Sequence, residues 1–241
     1  YETVTRGGRK VESSTLTDRI LRKAILKADE DYADDEQFEV AQSDAIEVAS
    51  KRIAPLTSEE VELMDKMRNW ASENLHRKDS KAAAIIEWIE KNLKSGGEWN
   101  QKRVILFTEY RTTLDWLNEI LASHDYGGER LLTIHGGIDQ QEREKIKAAF
   151  QTNPEDSPVR ILLATDAASE GIDLQNHCSH MIHIEIPYNP NVMEQRNGRI
   201  DRHGQREKEV SIWHPVDGGF SASKSGLVGH KDDIIRALRK L

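Results

Sequence analysis

Apolar and polar positions divide the chain into two regimes that meet near residue 97. Before that point apolar residues recur at helical spacing. Leu16, Ile20, Leu21, Ala24 and Leu26 predict an amphipathic helix from about Ser14, with Thr15 or Thr17 as its cap. Leu63, Met67, Trp70 and Leu75 stripe a second helix that follows Pro55-Leu56, where Thr57 and Glu60 have the spacing of a capping box. Asp79 or Ser80 opens a third, which carries Ala83, Ile86, Trp88 and Ile89 and is expected to stop at Ser95-Gly96-Gly97.

After residue 97 short apolar runs alternate with helical segments. Val104-Ile105-Leu106-Phe107 is continuous, as in a strand buried on both faces. A helix is predicted over 112–123, and Gly127-Gly128 breaks it. Leu131-Leu132-Thr133-Ile134 is the next strand, and 139–150 the next helix, packed through Ile146, Ala149 and Phe150. Further strands are predicted at 161–163, 181–186 and 210–213. Strands alternating with helices give right-handed βαβ units and an α/β fold with a mostly parallel sheet. The expected organisation is a helical accessory region at 1–97, an α/β lobe at 98–216, and a linker with a terminal helix at 217–241. Residues 1–13 read as a polar tail.

Composition narrows the function. A formal charge of −8 over 241 residues excludes a protein that coats nucleic acid with its whole surface, but leaves room for a local basic groove. The acidic run Asp29, Glu30, Asp31, Asp34, Asp35, Glu36 and Glu39 reads as a solvated face or connector, since it lacks the glycine and spacing of a calcium loop. Cys178 is the single cysteine, which excludes an internal disulfide and fits a reducing compartment. No apolar run approaches the ~20 residues of a membrane-spanning helix, and no signal peptide is visible. The chain begins at Tyr1 rather than Met, as expected of a piece of a longer protein. Trp70, Trp88, Trp99, Trp116 and Trp213 are scattered and are assigned to packing rather than base stacking.

Chemistry concentrates in 160–205. The segment 195–205 carries Gln195, Arg196, Arg199 and Arg202, with Gly198 between them. Arginines at three-residue steps share a helix face or the loop just after it, and clustered guanidinium groups call for an anion, for which phosphate is the best geometric match. The alternative is a helix whose arginines pair with Glu194, Asp201 and Glu207; glycine inside a helix costs about 1 kcal/mol against alanine and favours a reason beyond packing. The turn at 164–175 leaves a strand end with Thr165, Asp166, Ser169, Glu170, Gly171 and Asp173, where a hydroxyl can hold a nucleic-acid phosphate and Asp173 a ribose hydroxyl. An ordinary βα loop capped by Asp and Ser is the competing reading. Two weaker strand-end sites are Phe107-Thr108-Glu109-Tyr110-Arg111-Thr112 and Ile134-His135-Gly136-Gly137. His177, His180 and His183 step by three along a strand, where such positions face opposite sides, so no metal site is read there.

In this order the four sites resemble motifs IV, IVa, V and VI of the second RecA-like lobe of superfamily 2 helicases and translocases. Gln195-Arg196-Asn197-Gly198-Arg199-Ile200-Asp201-Arg202-His203-Gly204-Gln205 is similar to the Swi/Snf-type double-stranded DNA translocases, and within them to the bacterial branch. Ala164-Thr165-Asp166 and Gly171-Ile172-Asp173 are shared with DEAD-box proteins. The resemblance implies a RecA-like three-layer fold, ATP and Mg2+, duplex DNA as the polymer, and an N-terminal RecA-like lobe of the same parent chain as partner. It implies Arg199 and Arg202 as arginine fingers on the γ-phosphate. It places Gln195, Gly171 and Asp173 at the nucleotide, and Thr108, His135, Gly136 and Thr165 at the nucleic-acid backbone. His203 stands where many relatives have an aliphatic residue and receives no role. No G-x-x-x-x-G-K-[ST] loop or Asp-Glu-x-His-type strand end is present, so the isolated chain is expected to hydrolyse essentially no ATP. The expected setting is the bacterial cytoplasm, at the nucleoid. The other readings are a DEAD-box-like RNA helicase lobe, and a non-catalytic module that binds nucleic acid or protein.

Overall fold

The computed structural model describes residues 35–50, 55–166, 174–187 and 189–215. Two compact units divide at Arg77 and Lys78. In the first, α1 spans Asp35–Ser50 and α2 spans Ser58–Glu73. The capping box of α2 is present in both directions: the Glu60 amide donates to the Thr57 hydroxyl at 3.3 Å and the Thr57 amide to Glu60 Oε2 at 2.7 Å. Its apolar stripe is exposed, with Trp70 at 67%, so Trp70 is not the packing residue expected of it. The start of α1 lies inside the acidic run, so the end of that run is helical. The helix expected from Ser14 and its caps Thr15 and Thr17, and the linker and terminal helix expected at 217–241, lie outside the described residues.

The second unit opens with α3, Ser80–Leu93, capped by Asp79 Oδ1 on the Ala82 amide at 2.7 Å. A hairpin of β1 (Lys94–Ser95) and β2 (Glu98–Trp99) follows. Gly96 and Gly97 have φ of 62° and 88°, the paired left-handed conformation of a two-residue type I′ turn, so these glycines build a hairpin and do not merely stop a helix. Then come β3 (Val104–Thr108), α4 (Arg111–Ala122), β4 (Leu131–Ile134), α5 (Gln140–Gln151), β5 (Ile161–Thr165), β6 (His180–His183), α6 (Pro190–Asn197) and β7 (Ser211–Trp213). The five longer strands form one parallel sheet in the order β4-β5-β3-β6-β7.

The pleat sorts the core. Val104, Leu106, Ile161, Leu163 and Ile182 point to one face, where α3 contributes Ala82, Ile85, Ile89 and Leu93 and α4 contributes Leu114, Leu117, Ile120 and Leu121. Ile105, Phe107, Leu162, Ala164 and Met181 point to the other, against Ile146 and Phe150 of α5 and against Leu174, Cys178 and Ile200. Helices on both faces of a parallel sheet make the three-layer α/β fold expected. Because α3 fills one face of the core, the boundary expected after residue 97 falls inside this unit. The fourth strand, expected over 181–186, ends at His183; Ile184 adds one more bond to Phe107 O at 2.7 Å, and the chain then bends ahead of Pro187.

Two buried arginines close the amino-terminal ends of the strands. Arg103, 1% exposed, donates to the carbonyls of Val159 at 3.0 Å, Thr152 at 2.7 Å, and Phe150 at the end of α5. Arg160 donates to the carbonyls of Asn100, Ser157, Val159 and Pro154. Burial, and next the Arg160 charge, push Arg103 down to about 10, so it stays cationic at neutral pH. Replacing Arg103 by alanine takes the side-chain donor from the buried Phe150 carbonyl and the part-buried Thr152 carbonyl, while Val159 O keeps Arg160, and is expected to destabilise the chain by about 2–3 kcal/mol, read as a lower denaturant midpoint.

Candidate functional site

In the sheet order, β3 sends its connection past β5 to β4, and β5 sends its connection past β3 to β6. Adjacent strands whose connections leave in opposite directions open a crevice at their carboxyl ends. Those ends carry Glu109 after β3, Asp166 after β5, and His183 and Glu185 at β6.

Helix α6 delivers the arginines to that edge. Pro190 fits its first turn, and Asn189 Oδ1 caps the Asn191 amide at 3.0 Å. Arg196, 2% exposed, makes a two-pronged pair with Asp166, Nε to Oδ1 and Nη2 to Oδ2, both at 2.5 Å. Its Nη1 donates to Glu185 O at 3.1 Å and lies 3.4 Å from His183 Nδ1, and the guanidinium sits 5.7 Å from the Phe107 ring centre. Its anion is therefore a carboxylate of the same fold. The expected common site for the arginines splits here, and Arg196 pairs with none of Glu194, Asp201 and Glu207.

The helix ends at Asn197, with Gly198 as its cap, so Arg199 and Arg202 stand on the turns beyond it. Gly198 has φ −62°, and an added Cβ would meet only the Glu194 and Gln195 carbonyls, at 3.4 and 3.5 Å. It is neither inside the helix nor in a conformation that demands glycine. Gly204, at φ 95°, is in one that does. Arg199 is half-buried, and its Nε has no partner among the described residues. Gln195 and Arg202 are exposed. Among the described residues no group of His, Cys, Asp or Glu is arranged to hold a metal ion.

Around Arg196 the charges are close and partly dry. The Glu109 amide donates to Glu185 Oε2 at 3.2 Å. Burial raises the Glu109 carboxyl; Asp166 and Glu185 add to the rise and Arg196 opposes it. His183 is fully buried, with Nε2 2.9 Å from Asn197 Oδ1 and its ring stacked 4.9 Å from His214. An Nε2–H that donates to Asn197 leaves Nδ1 as an acceptor toward Arg196, which fixes the neutral tautomer. Burial, opposed by the Asn197 bond and reinforced by Arg196 and His214, pushes His183 from 6.5 down to about 4.

This depressed value has a readable consequence. Above pH 6.5 His183 is neutral in both folded and unfolded chains, so it adds no slope there. Between 6.5 and about 4 the unfolded chain takes up a proton that the folded chain refuses, so stability is lost as pH falls. The slope is on the order of 1 kcal/mol per unit. His177, His180 and His214 are lowered by burial and act in the same direction, while the raised Glu109 acts against them. The melting temperature is expected to fall from pH 7 to pH 5, and His183→Gln to flatten that fall. An unchanged slope would show that His183 titrates normally.

A second group lies at the ends of β3 and β4. His135 Nδ1 is 2.5 Å from an Arg111 Nη1 and 2.6 Å from the Gly136 carbonyl. Arg111 Nε reaches both Asp115 oxygens at 2.9 Å. His135 and Arg111 are partly exposed, whereas Gly136 is buried. Thr108 and Thr165 are register partners on β3 and β5 and are both 0% exposed. The Thr108 hydroxyl faces the Tyr110 backbone, with N and O at 3.4 and 3.5 Å. Both threonine side chains are thus buried at the carboxyl ends of their strands. Gly171 and Asp173 lie outside the described residues. Sequence reading missed Arg111, Asp166, His183, Glu185 and Asn197 as partners. Only the Asp of Ala164-Thr165-Asp166 signalled itself, and nothing local connects it to an arginine 30 positions away.

The family model for the helicase conserved C-terminal domain matches residues 80–204. The uncharacterized ATP-dependent helicase YqhH of Bacillus subtilis is 35% identical over 136 residues, 56% of this chain and 21% of that protein. The chain thus spans about a fifth of this relative. The C-terminal part of the Fun30 ATPase domain superposes with a TM-score of 0.50 at 20% identity, covering 82% of this chain and 60% of that one. Domain 2 of the Mss116p DEAD-box helicase, bound to an RNA duplex, gives 0.46 at 23% identity, over 56% and 49%. The likeness to the Fun30 part speaks for the fold alone. The chain belongs to the helicase conserved C-terminal domain family.

Proposed function

We propose that this lobe is the second motor half of a Swi/Snf-type, ATP-driven translocase that steps along duplex DNA. The observation that carries the reading is the division of labour among the arginines. Arg196 is consumed by Asp166 inside the fold, while Arg199 and Arg202 are carried on the turn beyond the helix. Lobe closure brings Arg199 and Arg202 onto the γ-phosphate of ATP bound by the preceding RecA-like lobe, where positive charge stabilises the transferring phosphoryl group. Exposed Gln195, with Gly171 and Asp173, completes the nucleotide side. Mg2+ would be held by the preceding lobe, where it would supply neutralising charge to the phosphates. On the other rim, His135 and Arg111 supply the polar groups that meet the nucleic-acid backbone, with the Gly136 backbone beside them. The isolated chain, holding one wall of the site, hydrolyses essentially no ATP.

The motif around Arg199 supports DNA, whereas Ala164-Thr165-Asp166 is equally at home in an RNA helicase lobe. The polymer that stimulates ATP hydrolysis by the full-length parent protein decides between them. Duplex DNA is expected to raise the rate at least about tenfold more than single-stranded RNA. Stimulation by RNA alone would move the lobe to the DEAD-box side. An absence of stimulation by any polymer would favour a non-catalytic binding module.

A further inference from the structure

The turn that carries Arg199 and Arg202 has little packing of its own. Ile200 is its one buried apolar residue, while Asp201, Arg202, His203 and Gly204 are exposed. Hydrogen bonds to the segment 174–178 hold it instead. The Leu174 amide donates to Arg199 O at 3.2 Å, and Gln175 Nε2 to His203 O at 3.4 Å. Gln205 Nε2 donates to Cys178 O and Ile200 O, both at 2.9 Å. Gly204 lies beside the Gln175 amide: a Cβ there would be in ordinary contact with Gln175 Nε2, at 3.8 Å.

Two atoms along this seam are left unmet. Gln175 is 8% exposed, and its Oε1 has no hydrogen-bond partner among the described residues. The Arg199 Nε is in the same state. One is an acceptor and the other a donor, and their residues sit on backbones already joined by the Leu174–Arg199 bond. A buried carbonyl oxygen without a donor is costly, which points to a partner gained in another conformation. We infer that Gln175 is a positioning residue for Arg199: in the closed, nucleotide-bound state its Oε1 accepts from Arg199 Nε. Three consequences follow from the chemistry of the pair. A bond at Nε fixes the plane of the guanidinium and leaves both terminal nitrogens for a phosphate. A neutral amide oxygen does this without neutralising the charge, which a carboxylate would do. The Nε2 bond to His203 O, made by the same amide, sets its orientation so that the oxygen and not the nitrogen is left for Arg199.

The inference rests on the arginine-finger reading, and a double-mutant cycle in the full-length parent protein separates the two. Gln175→Met keeps the volume and removes both polar atoms. It is expected to lower kcat for ATP hydrolysis about 10- to 100-fold while KM for ATP changes by less than about threefold. In an Arg199→Ala background the same substitution is expected to have no further effect, which a merely structural role would not produce. Effects that multiply instead would overturn the inference, because Gln175 would then act elsewhere. A fully active Gln175→Met beside a crippled Arg199→Ala would overturn it too, and leave the arginine-finger reading intact. An unimpaired Arg199→Ala would remove that reading and the inference with it. Thermal melting checks each variant's fold. If Gln175→Met does not fold, Gln175→Asn, which keeps the amide and shortens its reach, is held to the same outcomes.

Discussion

Arg196→Ala is expected to destabilise the lobe by about 3 kcal/mol, lowering its melting temperature on the order of 10 °C. The guanidinium is 1% exposed and Asp166 is 32% exposed, so removing the arginine leaves a partly dry carboxylate without its counter-charge. The damage spreads, because Glu109 lies in the same space beside Asp166 and Glu185, and Arg196 offsets its charge. Lysine does not rescue the site. A point charge cannot reproduce two parallel bonds to Asp166 together with one to Glu185 O. Asp166→Asn should show a loss of similar size. The Arg196→Ala/Asp166→Ala double variant should be less impaired than the two single losses summed, since neither charge is then left alone. Thermal melts of the four proteins check this. Losses that add would mean that the pair is not coupled.

Arg199→Ala is expected to do the reverse, leaving the fold intact and removing the chemistry. Arg199 is half-exposed on a turn, and its Nε makes no bond among the described residues, so truncation breaks little. A donor aimed at charge that develops in the transition state is worth about 10²- to 10³-fold in rate, and an arginine finger on a transferring phosphoryl group at least as much. The full-length protein with Arg199→Ala should therefore lose that factor in ATP hydrolysis and melt within about 1 °C of the parent. Two neighbouring arginines of one motif would then fail in opposite ways, one in stability and one in rate.

The sheet was the most legible part of the fold. Val104-Ile105-Leu106-Phe107 and the run at 161–163 announce themselves because burial on both faces leaves no room for polar residues, and the half-buried edge strand at 131–134 shows as a mostly apolar run. The Thr57–Glu60 capping box was equally readable, since both of its partners are local. The α1 helix was not, because its acidic start reads as solvated chain when nothing local shows what it packs against. Gly96-Gly97 terminates a helix and turns a hairpin with the same residues, and only the pairing of Lys94 with Trp99 tells which. In the site, the arginine cluster was visible as a cluster, but its division was not. Whether Arg196 or Arg199 meets an internal carboxylate depends on where β5 places Asp166 against α6. That is set by the register of Thr108 on Thr165 and by the helix ending at Gly198. The burial of Thr108 and Thr165 follows from the same pairing and from nothing in their own neighbourhoods.

The central claim is that Arg199 acts on the γ-phosphate and not on the fold or on nucleotide affinity. Its most direct test is single-turnover ATP hydrolysis by the full-length Arg199→Ala protein at saturating duplex DNA, with ATP binding measured on the same sample. The predicted result is a hydrolysis rate at least about 100-fold below the parent with ATP affinity changed by less than about threefold. A rate within about threefold of the parent, or a loss accounted for entirely by weaker ATP binding, would contradict it.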